Sequence, residues 1–276
     1  MSYWRAARAL ITGGSSGLGL ELAKTLVAEG AEVALVARSR GPLEDAADML
    51  RGLGGRVLTI SADVAQPGQT AWAVQQAVES IGGLELAAAC AGRSMRGPLV
   101  DTPRERFEEL MAINTMAAVD LAQAAGPHLE ASAEEHDGKA GHLVLIGSLA
   151  TRIAAPHLGA YPATKHPLGA IAQQLRLERG PAGLHPLLVC PGPIARDDAG
   201  DRYADQAEGL PNPARRPGGG AKVRAIDPAD LCRRILKACQ RRQSELVLPK
   251  KARLLMAAQA LCPPLGDWLL RRQVGD

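Results

Sequence analysis

Tyr161 and Lys165 stand four residues apart, with Ser148 upstream of them and a glycine run, Thr12-Gly13-Gly14-Ser15-Ser16-Gly17-Leu18-Gly19, near the N-terminus. On one helix, residues at that spacing share a face, so the phenol and the ammonium lie side by side. A free phenol, with a pKa of about 10, is a poor base at neutral pH. An ammonium beside it stabilises the phenolate and lowers that value. Ser148, just beyond Ile146-Gly147, can hydrogen-bond the same oxygen, and Asn114, in Met111-Ala112-Ile113-Asn114, can bridge Lys165 to solvent through water. Such a group hands a proton to an oxygen held beside it, or takes one away. A carbonyl or an alcohol exchanging hydride on its other face needs that service.

The glycine run supplies the partner half of this chemistry. Gly13, Gly17 and Gly19 fit T-G-x-x-x-G-x-G. Bare α-carbons permit a tight turn, close approach to a pyrophosphate and close helix–strand packing. The helix that follows presents unpaired N–H groups to phosphate charge. The second strand ends Leu35-Val36-Ala37-Arg38, without the carboxylate that a strict NAD site uses for the ribose 2′-hydroxyl. Arg38 offers planar, charge-assisted contacts to a 2′-phosphate and Ser15 a hydroxyl, so NADP(H) is favoured over NAD(H). Asp63 and Val64 follow the third strand, placed for the adenine amino group and ring. Cys90-Ala91-Gly92 closes the fourth strand with small residues against which a ribose can lie.

These residues need a frame. Short apolar runs at 8–12, 31–37, 56–61, 84–90, 142–146, 184–190 and 245–248 alternate with helical patterns at 17–29, 42–52, 69–80, 104–125 and 160–178. Strands that are apolar throughout, alternating with helices, predict a parallel sheet covered on both faces: a single-domain, Rossmann-type doubly wound α/β fold. The polar stretch 128–141 reads as a surface excursion, and 191–226, rich in proline and glycine, as a substrate flap. Asp227-Pro228 reads as the cap and first residue of a helix. The chain divides into an oxidoreductase domain, 1–250, and an amphipathic helical extension, 251–276, broken at Pro263-Pro264.

With 276 residues the chain can build one large α/β domain, and its aliphatic composition, with Phe107 the single phenylalanine, predicts an aliphatic core. A net charge of +3 is too weak to imply a nucleic-acid surface. Cysteines at 90, 190, 232, 239 and 262 are odd in number and widely spaced. No close thiol pair suggests zinc and no framework suggests a secreted scaffold, so reduced thiols and no metal are expected. The N-terminal segment has no cleavable hydrophobic stretch and no apolar run reaches membrane-spanning length; a cytoplasmic location follows as the expectation.

From about Arg8 to Leu248 the chain resembles the classical short-chain dehydrogenases/reductases, most specifically in Thr12–Gly19, Asn114, Ser148, Tyr161-Pro162-Ala163-Thr164-Lys165 and Pro191-Gly192. The resemblance implies seven parallel strands and a small-molecule ketone or secondary alcohol as substrate. It implies Tyr161 as acid in reduction and base in oxidation, Ser148 orienting substrate, Lys165 also binding the nicotinamide ribose, and Asn114 completing a proton relay. It further implies a homodimer or homotetramer formed through the helices that hold Asn114 and Tyr161.

Three departures stand out. Cys90 replaces the family's asparagine. Pro193-Ile194-Ala195 lacks the usual threonine, leaving the Ile194 backbone to cover the nicotinamide. Pro167 interrupts the catalytic helix.

Arg93, Met95, Leu149, Ile153, His157 and Leu158 are expected to wall an apolar substrate pocket, with Arg93 or Arg196 available for an acid group. The tail loosely resembles that of reductases acting on lipid-like ketones, including 3-ketosphinganine reductases; it covers the cleft, joins subunits or touches a membrane surface. A regulatory nicotinamide-binding protein and a partner-binding module are the rival expectations.

Overall fold

In the computed structural model, residues 2–196, 203, 205–211, 220 and 223–274 are described. Of the segment expected to form a flap, 197–202, 204, 212–219, 221 and 222 lie outside them. The elements run β1 (Arg8–Thr12), α1 (Gly17–Ala28), β2 (Glu32–Ala37), α2 (Arg40–Gly52), β3 (Arg56–Ser61), α3 (Gln69–Ile81) and β4 (Leu86–Ala89). They continue with α4 (Arg104–Met111), α5 (Ala117–Glu135), β5 (His142–Ile146), α6 (Tyr161–Lys165), α7 (Pro167–Glu178) and β6 (His185–Pro191). Last come α8 (Pro228–Gln240), β7 (Glu245–Leu248), α9 (Ala252–Leu261) and α10 (Pro263–Val274).

The seven strands lie in the order β3-β2-β1-β4-β5-β6-β7, every pair parallel. Successive residues of each strand feed opposite faces. Ile11, Val33, Leu35 and Val144 pack with Leu22 and Leu26 of α1, Leu43 and Leu50 of α2 and Ile235 of α8. Leu10, Ala34, Val36 and Leu145 pack on the other face with Val74 of α3, Leu121 and Leu129 of α5 and Leu168 of α7. Each such leucine contributes about 1.5–3 kcal/mol by leaving water. The chain reverses winding direction between β1 and β4, which opens the crevice where such sheets hold their ligands.

One expectation is corrected. The stretch 128–141 is not all surface excursion, because α5 continues to Glu135 and buries Leu129, Ser132 and Ala133. The one or two helices expected over 104–125 are α4 and α5, joined by a π-helical turn, Ala112–Met116. The interruption expected at Pro167 is present: the catalytic helix is two pieces, since Pro167 has no N–H to offer the Ala163 carbonyl. His166, at φ −55 and ψ −40, keeps the path helical across the break. The Asp227 cap forms as expected, its Oδ1 accepting from the Asp230 N–H at 2.7 Å.

Candidate active site

The glycine turn leaves the end of β1 and doubles back against β4. Gly13 and Gly17 have φ of 69° and 55°, a region open to glycine at little cost. A Cβ on Gly13 would lie 2.9 Å from the Ala91 backbone, and one on Gly19 would lie 2.3 Å from the Gly13 carbonyl oxygen. Ser16 caps α1 in an extended conformation without a side-chain capping bond, so the helix N–H groups remain for a ligand. The Thr12 hydroxyl donates to the Ala88 carbonyl at 3.2 Å and accepts from Ala91 N at 3.4 Å, tying β1 to the end of β4. Cys90, in the place of the family's asparagine, is a neutral thiol that burial pushes up to about 12.

A cavity of about 720 Å³ runs from this turn past Gly13, Ser15, Ser16, Arg38, Asp63, Val64, Ala91 and Gly92. Arg38, about half exposed, stands 3.9 Å from Asp63 in a loose ion pair. Asp63 also accepts from Ala65 N at 3.1 Å, which shapes its loop. The glycine cradle, the bare helix terminus and the Arg38 cation fit the phosphates and adenosine of a nicotinamide dinucleotide.

A second cavity, of about 650 Å³, shares the turn (Gly13, Gly17, Leu18, Gly19) and holds Ser148, Tyr161 and Lys165 together with Pro191, Gly192 and Ile194. Ser148 is fixed on both sides: its N–H donates to Thr151 Oγ1 at 3.0 Å, and its Oγ accepts from Ala150 N at 3.1 Å. Burial raises the Tyr161 phenol above its ordinary value, and a hydrogen bond with the Ser148 side chain draws it back. Lys165 is buried and donates from Nζ to the Ile146 carbonyl at 2.8 Å; burial brings its ammonium down to about 8.

Asn114 sits in the π-helical turn, buried. Its Oδ1 accepts from Arg93 N at 2.9 Å, and its Nδ2 donates to Arg93 O at 2.8 Å and Thr164 Oγ1 at 3.0 Å. A Cβ on Gly92 would lie 3.0 Å from Asn114 Oδ1 and 3.3 Å from Lys165 Nζ, so both groups border that glycine. Gly192 N donates to Leu248 O at 2.7 Å, and Ile194 bridges to Ile226, which pins the chain after β6.

Of the expected wall residues, Arg93, Leu149, Ile153 and Leu158 line the cavity; Met95 and His157 do not. Met95 turns inward against Leu110 and Ala160, its sulfur accepting from Ala160 N at 3.3 Å. His157 holds a turn at φ 58°, its carbonyl accepting from Gly97 N at 3.1 Å.

Sequence reasoning missed Arg96. It is buried and lines the cavity, its guanidinium 4.4 Å from the Tyr203 ring centroid and its backbone N–H donating to Gln206 Oε1 at 3.1 Å. Nothing local marks it, because an arginine in a loop reads as solvated until its partners are known. Leu254, Leu255, Leu269 and Leu270 of α9 and α10 also line this cavity.

The family model for short chain dehydrogenase matches residues 7–207, and the chain belongs to that family. Among curated relatives, it is 34% identical over 233 residues to the glycine betaine reductase ATRR of Emericella nidulans, covering 83% of this chain and 17% of that protein. It is 32% identical over 197 residues to dehydrogenase/reductase SDR family member 7B of Mus musculus, covering 70% of this chain and 59% of that one. The chain thus spans less than two thirds of either relative. A solved short chain dehydrogenase from Burkholderia cenocepacia in complex with NADP superposes with a TM-score of 0.74 at 28% identity, covering 89% of this chain and 96% of that one. Among the described residues no helix is long and apolar enough to cross a membrane.

Proposed function

We propose that this chain reduces an apolar or lipid-like ketone, or oxidises the matching secondary alcohol, with NADP(H) preferred over NAD(H). The observation that carries this reading is that the Tyr161 phenol shares one cavity with Ser148, Lys165 and the glycine turn. When bound, the nicotinamide supplies hydride to the carbonyl carbon or accepts it from the alcohol. Tyr161 gives its proton to the carbonyl oxygen in reduction and takes it back in oxidation. Ser148 holds that oxygen beside the phenol. Lys165 supplies positive charge for the phenolate and hydroxyl contacts for the ribose. Asn114 keeps the Gly92–Arg93 backbone in place and carries the relay from Lys165 toward solvent.

The dinucleotide is held by Gly13, Ser15, Ser16, Gly17, Leu18 and Gly19 at its phosphates and by Asp63 and Val64 at its adenine. Ala91, Gly92, Pro191, Gly192 and Ile194 border its nicotinamide half, with Asn114, Tyr161 and Lys165 beside them. Arg38 takes the 2′-phosphate, in keeping with the NADP complex of the Burkholderia cenocepacia relative. Arg196, whose guanidinium lies over Gly17, adds a cation at the phosphate turn that sequence reasoning did not assign to the cofactor.

The leucines of α9 and α10 favour a hydrocarbon substrate, and the reading keeps 251–276 as an extension of a 1–250 domain. Exposed Met116 and Leu177, beside Asn114 and on α7, suit a homo-oligomer formed through those helices. The free cysteines suit a reducing, cytoplasmic compartment.

The test is a panel of ketones and alcohols with both nicotinamides. Faster turnover with NADPH than with NADH, on apolar ketones, is expected. NADPH binding without turnover of any carbonyl would overturn the reading.

A further inference from the structure

At the end of the sheet away from the cavity, two histidines meet. His142 opens β5, His185 opens β6, and they are register partners. Both are buried, and Nδ1 of one lies 2.8 Å from Nδ1 of the other. Cys239, buried late in α8, brings its Sγ to the same point, and the three ligand atoms lie within 4.8 Å of one another. The wide spacing of these residues along the chain hid the cluster.

The hydrogens decide what the cluster is. A carbonyl only accepts, so His185 Nε2, 2.9 Å from the Gln243 carbonyl oxygen, carries a hydrogen. Neutral His185 then has a bare lone pair on Nδ1. The Tyr3 hydroxyl donates its one hydrogen to the Lys139 carbonyl oxygen. With the Tyr3 hydrogen on Lys139, His142 Nε2, 2.9 Å from the Tyr3 oxygen, supplies the hydrogen between them. His142 too faces its partner with a bare Nδ1. Two lone pairs opposed at 2.8 Å in a dry site repel unless a cation lies between them. A shared proton would make a buried imidazolium near the like charge of Arg242, and the cluster holds no carboxylate to balance it.

We propose that His142 Nδ1, His185 Nδ1 and Cys239 Sγ bind a zinc ion that ties the N-terminal segment, β5, β6 and α8 together. Two imidazoles and a thiolate are donors zinc favours. Each imidazole already has a partner on its far nitrogen, Tyr3 for His142 and Gln243 for His185, which is the arrangement that orients a ligating ring. The nitrogens must part by roughly half an ångström from 2.8 Å to suit Zn–N bonds of about 2.0–2.1 Å, a small side-chain rotation. On binding, the Cys239 thiol releases its proton to solvent and its sulfur forms the bond, so the ion brings in one positive charge rather than two. Arg242, held by the carbonyls of Gly138, Ala140 and Gly183, favours that thiolate and works against an uncompensated ion.

The test equilibrates the full chain with zinc, or with cobalt as a coloured substitute, followed by desalting and metal analysis. Wild type should retain about one ion per chain, melt higher with zinc than with chelator, and show a thiolate-to-cobalt charge-transfer band. Cys239→Ser should lose the band, and Cys239→Ser and His185→Gln should each lose most of the bound zinc. Tyr3→Phe should weaken binding about 10–100-fold and leave carbonyl reduction at Tyr161 unchanged. Wild type that retains no zinc and gives no band would overturn the proposal, leaving a dry histidine pair with the Tyr3 hydrogen turned onto His142. Zinc retained equally by folded Cys239→Ser and His185→Gln would overturn it as well, by placing the ion elsewhere.

Discussion

The Tyr161 phenol is drawn in two directions, up by burial and down by its hydrogen bond with Ser148. Removing that bond raises the phenol further. Ser148→Ala should therefore cut kcat by about 10²–10³-fold and move the alkaline rise of alcohol oxidation to higher pH. A pH–rate profile that kept its position would contradict this role for the hydroxyl. Lys165 gives a second, thermodynamic prediction. Burial brings it down to about 8 in the folded chain, against about 10.4 when unfolded. Between about pH 8 and about 10.4 the unfolded chain binds more protons, so stability from this group rises with pH across that window. Below about pH 8 both states are charged and the cost of burying the ammonium is fully present. Denaturant unfolding across the window should show the rise in wild type and a flatter curve in Lys165→Met. The Tyr161–Lys165 pair was legible because its chemistry and its helical spacing are both local. Arg96 was not, because its place depends on which loops the fold brings together.

The glycine turn, the π-helical turn and the C-terminal helices do the positioning. Gly19→Ala would drive a methyl to 2.3 Å from the Gly13 carbonyl oxygen, a backbone atom that cannot turn aside. NADPH binding, followed by fluorescence or calorimetry, should be lost in that variant; unchanged affinity would mean that the dinucleotide lies elsewhere. Deleting 251–276 removes Leu254, Leu255, Leu269 and Leu270 from the cavity wall. KM for a long-chain ketone should then rise while turnover of a small ketone changes little, and an equal loss on both would assign the tail to stability instead. The strands could be read from their apolar runs, and the α8 cap from Asp227-Pro228. The π-helical turn could not, since one inserted residue leaves the helical pattern on either side intact. Pro167 announced a break, yet the backbone at His166 shows that the helix accommodates the lost hydrogen bond without turning away.

For the molecule as a whole, the parallel order β3-β2-β1-β4-β5-β6-β7 sets two cavities on either side of the glycine turn. One holds the Arg38 cation and the other the Tyr161 phenol, so cofactor choice and proton transfer can be altered separately. Arg38→Glu should raise KM for NADPH and shift preference toward NADH, because a carboxylate repels a 2′-phosphate and accepts from a 2′-hydroxyl. Preference unchanged in that variant would remove Arg38 from cofactor selection. The fold class was legible from the alternation of strand and helix. The His142–His185–Cys239 cluster was not, because residues so far apart converge only once β5, β6 and α8 are packed. The central claim is that Tyr161 moves the proton while the nicotinamide moves hydride. Single-turnover NADPH oxidation with an apolar ketone, comparing wild type with Tyr161→Phe, tests it most directly. We expect Tyr161→Phe to bind NADPH as wild type does and to react about 10²–10⁴-fold more slowly. Turnover by Tyr161→Phe at the wild-type rate would contradict the claim.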